Sequence, residues 1–173
     1  MKHNFYFSKE EVEKYLTYDL GSLVDAGVCP TCFNKFVGGK YFGDSSKLDF
    51  YSDEEIECKF VPNPRADGHC MIASTQHFHD MSEAPDHINE KVIRFAKQLM
   101  IIIKEVYGCE RVYLCSMCDG PMNHYHVQLI PRYSHEPRGK GNFSKPRKDY
   151  VYDEEKYNLV KNKIHEYAKK NSQ

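Results

Sequence analysis

Apolar and polar positions alternate strictly along two stretches of the chain and recur at helical spacing along three others. Ile56, Cys58 and Phe60 alternate with Glu55, Glu57 and Lys59, the period of a strand with one buried face, and Pro62 and Pro64 are expected to end it. From His124 to Leu129 the same period sets His124, His126 and Gln128 on one face and Tyr125, Val127 and Leu129 on the core side. Neighbours in that polar row would stand roughly 6.5–7 Å apart on a rigid element, and Pro131 is expected to close the strand. Val112-Tyr113-Leu114-Cys115 reads as a further strand, leading into the loop Ser116-Met117-Cys118-Asp119-Gly120-Pro121.

The helical spacings fall at 8–20, 86–107 and 153–170. In the first, Ser8 with Glu10 and Glu11 forms a capping pattern, and Val12, Tyr15, Leu16 and Leu20 make the stripe. In the second, Ile88, Val92, Phe95, Leu99, Ile102, Ile103 and Val106 share a face, and Gly108 follows as the stop. In the third, Asp153 is the cap, with Tyr157, Val160, Ile164 and Tyr167 for packing. Residues 40–62 read as turns and short strands, with a turn at Asp44-Ser45-Ser46.

At 173 residues the chain is expected to form one domain with a real core. A formal net charge of -1 gives no global electrostatic reason to bind nucleic acid or a membrane surface, and no apolar run is long enough to span a bilayer. The start, Met1-Lys2-His3-Asn4, lacks the apolar segment of a signal peptide. Seven cysteines form an odd set without an export signal, which points to reduced thiols, metal binding and a cytoplasmic setting rather than a disulfide framework.

Four groups of residues carry candidate chemistry. Cys29-Pro30-Thr31-Cys32 suits two ligands of a tetrahedral zinc at about 2.3 Å, a redox pair, or two buried thiols; the Gly38-Gly39 turn that follows favours a zinc knuckle. Gly68-His69-Cys70-Met71-Ile72 opens a strand, with His77 beyond it and His79 as a rival to His77. Cys115 and Cys118 form a second pair, read as buried thiols or a competing metal pair. After Tyr133 the chain turns basic: Arg138, Lys140, Lys145, Arg147 and Lys148 are interleaved with Pro137, Gly139, Gly141 and Pro146. That stretch reads as a solvated loop or as a flap whose cations meet a polyphosphate.

Taken together, Cys-x-x-Cys, Gly-His…His, a long helix and then His124-x-His126-x-Gln128 resemble the histidine-triad superfamily. The glutamine in third place resembles the branch with galactose-1-phosphate uridylyltransferase and the dinucleoside-polyphosphate phosphorylases. The resemblance implies an α+β fold, an antiparallel sheet of about five strands with packed helices. Residues 1–28 would be an N-terminal helical extension, 29–133 the core, and 134–173 a basic loop and C-terminal helix of the same domain. It places the strand after Gly68-His69 ahead of a histidine at the head of a helix.

The resemblance also implies an enzyme that cleaves a phosphoanhydride or phosphoester bond of a nucleotide through a covalent nucleotidyl-His126. His126 would be the nucleophile, and Gln128 would hold a phosphoryl oxygen. His69, Gly120, Asn123 and Gln128 would bind the nucleotide or its phosphates. Cys29, Cys32, His77 and His124 would ligate a structural Zn²⁺. Nucleotidyl transfer or phosphorolysis is the first expectation and hydrolysis the runner-up. The competing class is a non-enzymatic zinc or nucleotide-binding module in which His124 and His126 both bind metal. Relatives often dimerise, so the resemblance leaves room for a homodimer.

Overall fold

The computed structural model describes residues 6–43, 46–118, 120–139, 141 and 144–171. Met1 to Asn4, Asp44 and Ser45 of the expected turn, Asp119 and Lys140 lie outside them. Three short helices come first: α1 (Lys9–Tyr15), α2 (Leu20–Asp25) and α3 (Pro30–Phe36). A 3₁₀ turn, Ser46–Leu48, leads into β1 (Asp49–Ser52), β2 (Ile56–Phe60) and β3 (Cys70–Ser74). The long helix α4 (Asp86–Tyr107), β4 (Arg111–Cys115), β5 (His126–Arg132) and α5 (Glu154–Lys170) complete the chain. The strands form one antiparallel sheet in the order β1-β2-β3-β5-β4, so the fold is α+β, as the resemblance implied.

The period of two divides the sheet into a covered and an open face. Ile56, Cys58 and Phe60 of β2, Cys70 and Ile72 of β3, and Val127 and Leu129 of β5 are buried together with Val92, Phe95, Leu99 and Ile103 of α4 and Val160 and Ile164 of α5. On the other face β3 and β5 pair Met71 with Gln128 and Ala73 with His126. The apolar stripe of α4 thus fixes which way the histidine strand turns its polar row. Both long helices end as their sequences dictate: Gly108 closes α4 at φ +66°, and the Asp153 carboxylate accepts the Lys156 N–H at 3.0 Å to open α5.

A second, smaller core holds Phe7, Leu23, Val28, Phe33 and Val37, with Phe7 edge-on to Phe33 at 5.2 Å. Cys29 to Val37 therefore packs with the N-terminal helices. Lys35 reaches Glu57 of β2 at 2.9 Å and ties this unit to the open side of the sheet.

Five local expectations need correction. The helix expected over 8–20 is two helices. Ser8 and Glu11 do form the reciprocal capping box. The Thr17 hydroxyl then donates to the Lys14 carbonyl, and the Asp19 carboxylate accepts the Ser22 N–H and starts α2; Leu16 and Leu20 stay exposed. Cys29-Pro30-Thr31-Cys32 opens a helix rather than a knuckle, because Pro30 at its first position carries a preset φ and needs no donor. The polar row is not all on one strand, since β5 begins at His126 and His124 precedes it.

Pro131 lies inside β5 instead of ending it. Its nitrogen faces the side where β3 has already run out, the last β3 pair being Cys70 with Leu129, so no ladder bond is lost. Finally, His77 is not at the head of a helix. It sits in the loop after β3, and α4 starts only at Asp86 behind Pro85.

Candidate functional site

The open face of β3 and β5 carries a directional chain of hydrogen bonds that ends on His126. Its first link is the Arg65 N–H, which donates to His69 Nδ1 at 3.0 Å. A nitrogen that accepts carries no proton, so the His69 proton is on Nε2. That Nε2 lies 3.1 Å from Gln128 Oε1 and donates to it, which turns the Gln128 amide nitrogen toward His126 Nε2 at 3.4 Å. At the far end His126 Nδ1 lies 2.8 Å from the His124 carbonyl, an acceptor only, and so holds the ring proton. His126 Nε2 is left with its lone pair on the half-buried face of the site.

Charge is arranged to keep this chain neutral. Burial draws His69 down to a pKa of about 4; the bond to Gln128 opposes the shift, and the guanidiniums of Arg147 and Arg65 add to it. His69 is thus an uncharged donor near neutral pH, and the orientation of Gln128 does not change with protonation there.

His124 is turned away from this face. Its Nε2 donates to the Ser74 carbonyl at 2.8 Å, which leaves Nδ1 as a lone-pair donor 3.6 Å from Cys29 Sγ and 3.4 Å from Cys32 Sγ. His77 Nδ1 is 3.5 Å from Cys32 Sγ. The four ligand atoms all lie within 4.8 Å of one another. A tetrahedral ion bound at about 2.3 Å by sulfur and about 2.0–2.1 Å by nitrogen sets S···N edges of about 3.5–3.6 Å. The spacing therefore fits zinc better than it fits weak S–H···N bonds.

The donor chemistry agrees with that fit: two thiols, two imidazoles, and a carbonyl that orients one imidazole from behind. The Cys29 thiol is held far below the usual thiol range, chiefly by a hydrogen bond from Cys32 acting against burial. Once Cys29 ionises, its charge and the same burial hold the Cys32 proton, which is pushed far up. A cation at the centre is what would ionise both. His126 is not in this cluster, since its Nδ1 is committed to the His124 carbonyl.

Several solved structures with this architecture are described as histidine-triad proteins. A zinc-bound histidine-triad family protein from Mycobacterium smegmatis superposes with a TM-score of 0.60 at 14% identity, covering 80% of this chain and 96% of that one. This chain has the histidine-triad fold. A hypothetical histidine-triad nucleotide-binding protein from Sulfolobus tokodaii matches at TM-score 0.53 and 21% identity, over 71% of this chain and 84% of its own. The diadenosine triphosphate hydrolase of Plasmodium falciparum matches at 0.54 and 14%, over 71% and 80%. No family model and no curated protein matches the sequence.

On this histidine-triad frame the remaining candidate residues are spread unevenly. His69, His126 and Gln128 are joined in one chain of bonds, whereas Gly120 is exposed in the middle of the loop before β5. The Asn123 amide nitrogen donates to the His79 carbonyl at 2.6 Å, so it shapes the loop near the ligand cluster. His79 itself bonds Glu83 at 2.9 Å and leaves the ligand role to His77.

Cys115 and Cys118 are half-buried, not core thiols. Cys115 Sγ points at the Gln128 carbonyl and Cys118 Sγ at the Ser116 hydroxyl, 3.2 Å away. Arg65 escaped the sequence reading. The signal for it was a lone cation four residues before His69, in Asn63-Pro64-Arg65-Ala66-Asp67, but nothing along the chain says that the basic stretch beyond Tyr133 returns to meet it.

Proposed function

We propose that the chain is a nucleotide-processing enzyme that transfers a nucleotidyl group through His126. The observation that carries the proposal is the bond from His126 Nδ1–H to the His124 carbonyl. It places the ring proton on Nδ1, so that Nε2 carries the lone pair a nucleophile needs without any change of charge. His126 Nε2 attacks the phosphorus of a nucleoside phosphoanhydride or phosphoester. The bond from phosphorus to the leaving oxygen breaks, and its electron pair departs with that oxygen.

Gln128, aimed by His69, donates an amide N–H to an oxygen at that phosphorus as charge develops. An acceptor oxygen then attacks the nucleotidyl-His126. The N–P bond breaks, the lone pair returns to Nε2, and the acceptor proton passes to solvent. An amide donates a hydrogen bond but not a proton, so this site suits leaving groups that depart as anions, such as phosphates. Phosphate-type acceptors follow by reversal, which makes nucleotidyl transfer or phosphorolysis the first reading. The fold shared with a diadenosine triphosphate hydrolase favours water as acceptor, the second reading.

Cys29, Cys32, His77 and His124 would hold the zinc, which would serve there as a structural cross-link. His69, Gly120, Asn123 and Gln128 are the proposed contacts for the nucleotide, with the role of Asn123 reduced by its bond to His79.

Kinetics of paired variants test the proposal. His126→Ala is expected to lose nearly all turnover of a dinucleoside polyphosphate while keeping its metal and melting temperature. His124→Ala is expected to lose metal, stability and turnover together. Equal turnover in His126→Ala and wild type would overturn the nucleophile. Product analysis with and without added phosphate then separates phosphorolysis from hydrolysis.

A further inference from the structure

The basic stretch beyond Tyr133 is not a free tail. Residues 145–148 strap onto residues 63–67, the loop that presents His69. Arg65 Nη1 donates to the Lys145 carbonyl, Arg147 Nη1 to the Asn63 carbonyl at 2.9 Å, and the Lys148 N–H to the Pro64 carbonyl at 3.0 Å. The cations brought together this way divide into two kinds. Lys145 and Lys148 are neutralised by Glu136 and Asp67, each at 2.6 Å. Arg65 and Arg147 have no carboxylate within ion-pair distance among the described residues.

Two guanidiniums without a counter-charge at one place are unfavourable unless an anion joins them. The Arg147 guanidinium is held below its usual range by partial burial and by the charge of Arg65 beside it. The same pair bears on His69, and Arg65 also bears on the Cys115 thiol next to Gln128. Arg65 Nε is moreover a buried donor with no partner among the described residues. These residues stand at the Gln128 and His69 end of the open face. A ligand whose reacting phosphorus lies at His126 Nε2 would extend toward them past the Gln128 amide.

We propose that Arg65 and Arg147 form a phosphate subsite that binds the phosphoryl groups beyond the one His126 attacks, and so select a nucleoside polyphosphate over substrates whose leaving group carries no phosphate. A guanidinium offers several N–H donors in a planar fork that matches phosphate oxygens. The strap sets both forks before the ligand arrives, which reduces the ordering cost on binding. The neutralised lysines serve the strap and not the ligand.

The meaning of this subsite for catalysis rests on the nucleotidyl-transfer reading, but its test does not. Binding of inorganic tripolyphosphate and of orthophosphate to the full-length zinc-loaded protein is measured by calorimetry for wild type, Arg65→Gln, Arg147→Gln and Lys148→Gln. Arg147 is exposed, so its variant keeps the test open if Arg65→Gln folds poorly.

Tripolyphosphate affinity is expected to fall about 10- to 100-fold in each arginine variant, the loss of charge-assisted hydrogen bonds, and to stay within about twofold in Lys148→Gln. Three results would overturn the assignment: no tripolyphosphate binding by wild type, equal losses in Lys148→Gln, or unchanged affinity in both arginine variants. Orthophosphate binding as tight as tripolyphosphate would also overturn it, by assigning the pair to a free phosphate. Failure of the nucleotidyl-transfer reading would appear instead as normal turnover in His126→Ala, with the arginine-dependent binding unaffected.

Discussion

Removing zinc is expected to lower the melting temperature by about 8–16 °C and to loosen the N-terminal unit first. The magnitude follows from what the four ligands join. Cys32 and His77 are 45 residues apart, and Cys32 and His124 are 92 apart, so the ion closes two successive loops of similar length. Treated as cross-links, each such loop restricts the unfolded chain by about 4 kcal/mol. The two together make a ceiling of about 8 kcal/mol, from which the S–H···N contacts of the metal-free site retain part. Half of that ceiling, at about 2–4 °C per kcal/mol for a chain of this length, gives about 8–16 °C.

The loss should be uneven. The core of Phe7, Leu23, Val28, Phe33 and Val37 is joined to the sheet through the cluster and through Lys35–Glu57, whereas α4 and α5 are held by the main core. Calorimetry with and without a chelator measures the shift, and hydrogen exchange locates it, with residues 7–37 losing protection before α4. Cys29→Ser should reproduce both effects. Metal-depleted protein that melts within about 2 °C of the loaded form would refute the cross-link account, and so would full zinc retention in Cys29→Ser.

Three further predictions rest on single contacts. The His69 pKa of about 4 lies below the ordinary histidine value of 6.5. The unfolded chain therefore takes up this proton first as pH falls, and stability drops between about pH 6.5 and 4. The loss is on the order of 3 kcal/mol, read from urea midpoints, and it should be absent in His69→Gln; parallel curves would contradict it. Gly68 has φ +76°, and a Cβ there would lie 2.9 Å from the Tyr107 ring, so Gly68→Ala should lose at least about 1–2 kcal/mol in urea unfolding, and an unchanged midpoint would count against the packing described. Gln128→His should raise kcat/KM on a nucleoside phosphoramidate relative to a dinucleoside polyphosphate, because a protonated imidazole gives a departing amine the proton that an amide withholds; an unchanged ratio would remove that role for Gln128.

Much of this was legible along the chain because it depends on local periodicity. The alternation at Ile56–Phe60 and Val127–Leu129 identified the buried face, and α4 and α5 began and ended where Asp153 and Gly108 marked them. Cys29, Cys32, His77 and His124 were grouped by the resemblance to the histidine-triad superfamily, and the fold draws their ligand atoms together. What stayed hidden was decided by contacts distant in sequence. Pro131 sits within a strand because β3 stops short beside it. Asn123 is taken up by a carbonyl 44 residues away. Arg65 gains its significance only when residues 145–148 fold back across some eighty positions to meet it. Helix 8–20 failed for a local reason: Asp19 is a stronger helix start than the stripe through Leu16 and Leu20 is a reason to continue.

The central claim is that His126 Nε2 becomes bonded to phosphorus. Intact-mass spectrometry of wild type and His126→Ala, quenched after brief exposure to a panel of dinucleoside polyphosphates and nucleoside diphosphates, tests it directly. The account predicts a mass increase of one nucleotidyl group on wild type, mapped to the peptide carrying His126, lost on acid treatment and absent in His126→Ala. Substrate turnover by wild type with no adduct under any quench, or an equal adduct on His126→Ala, would contradict it.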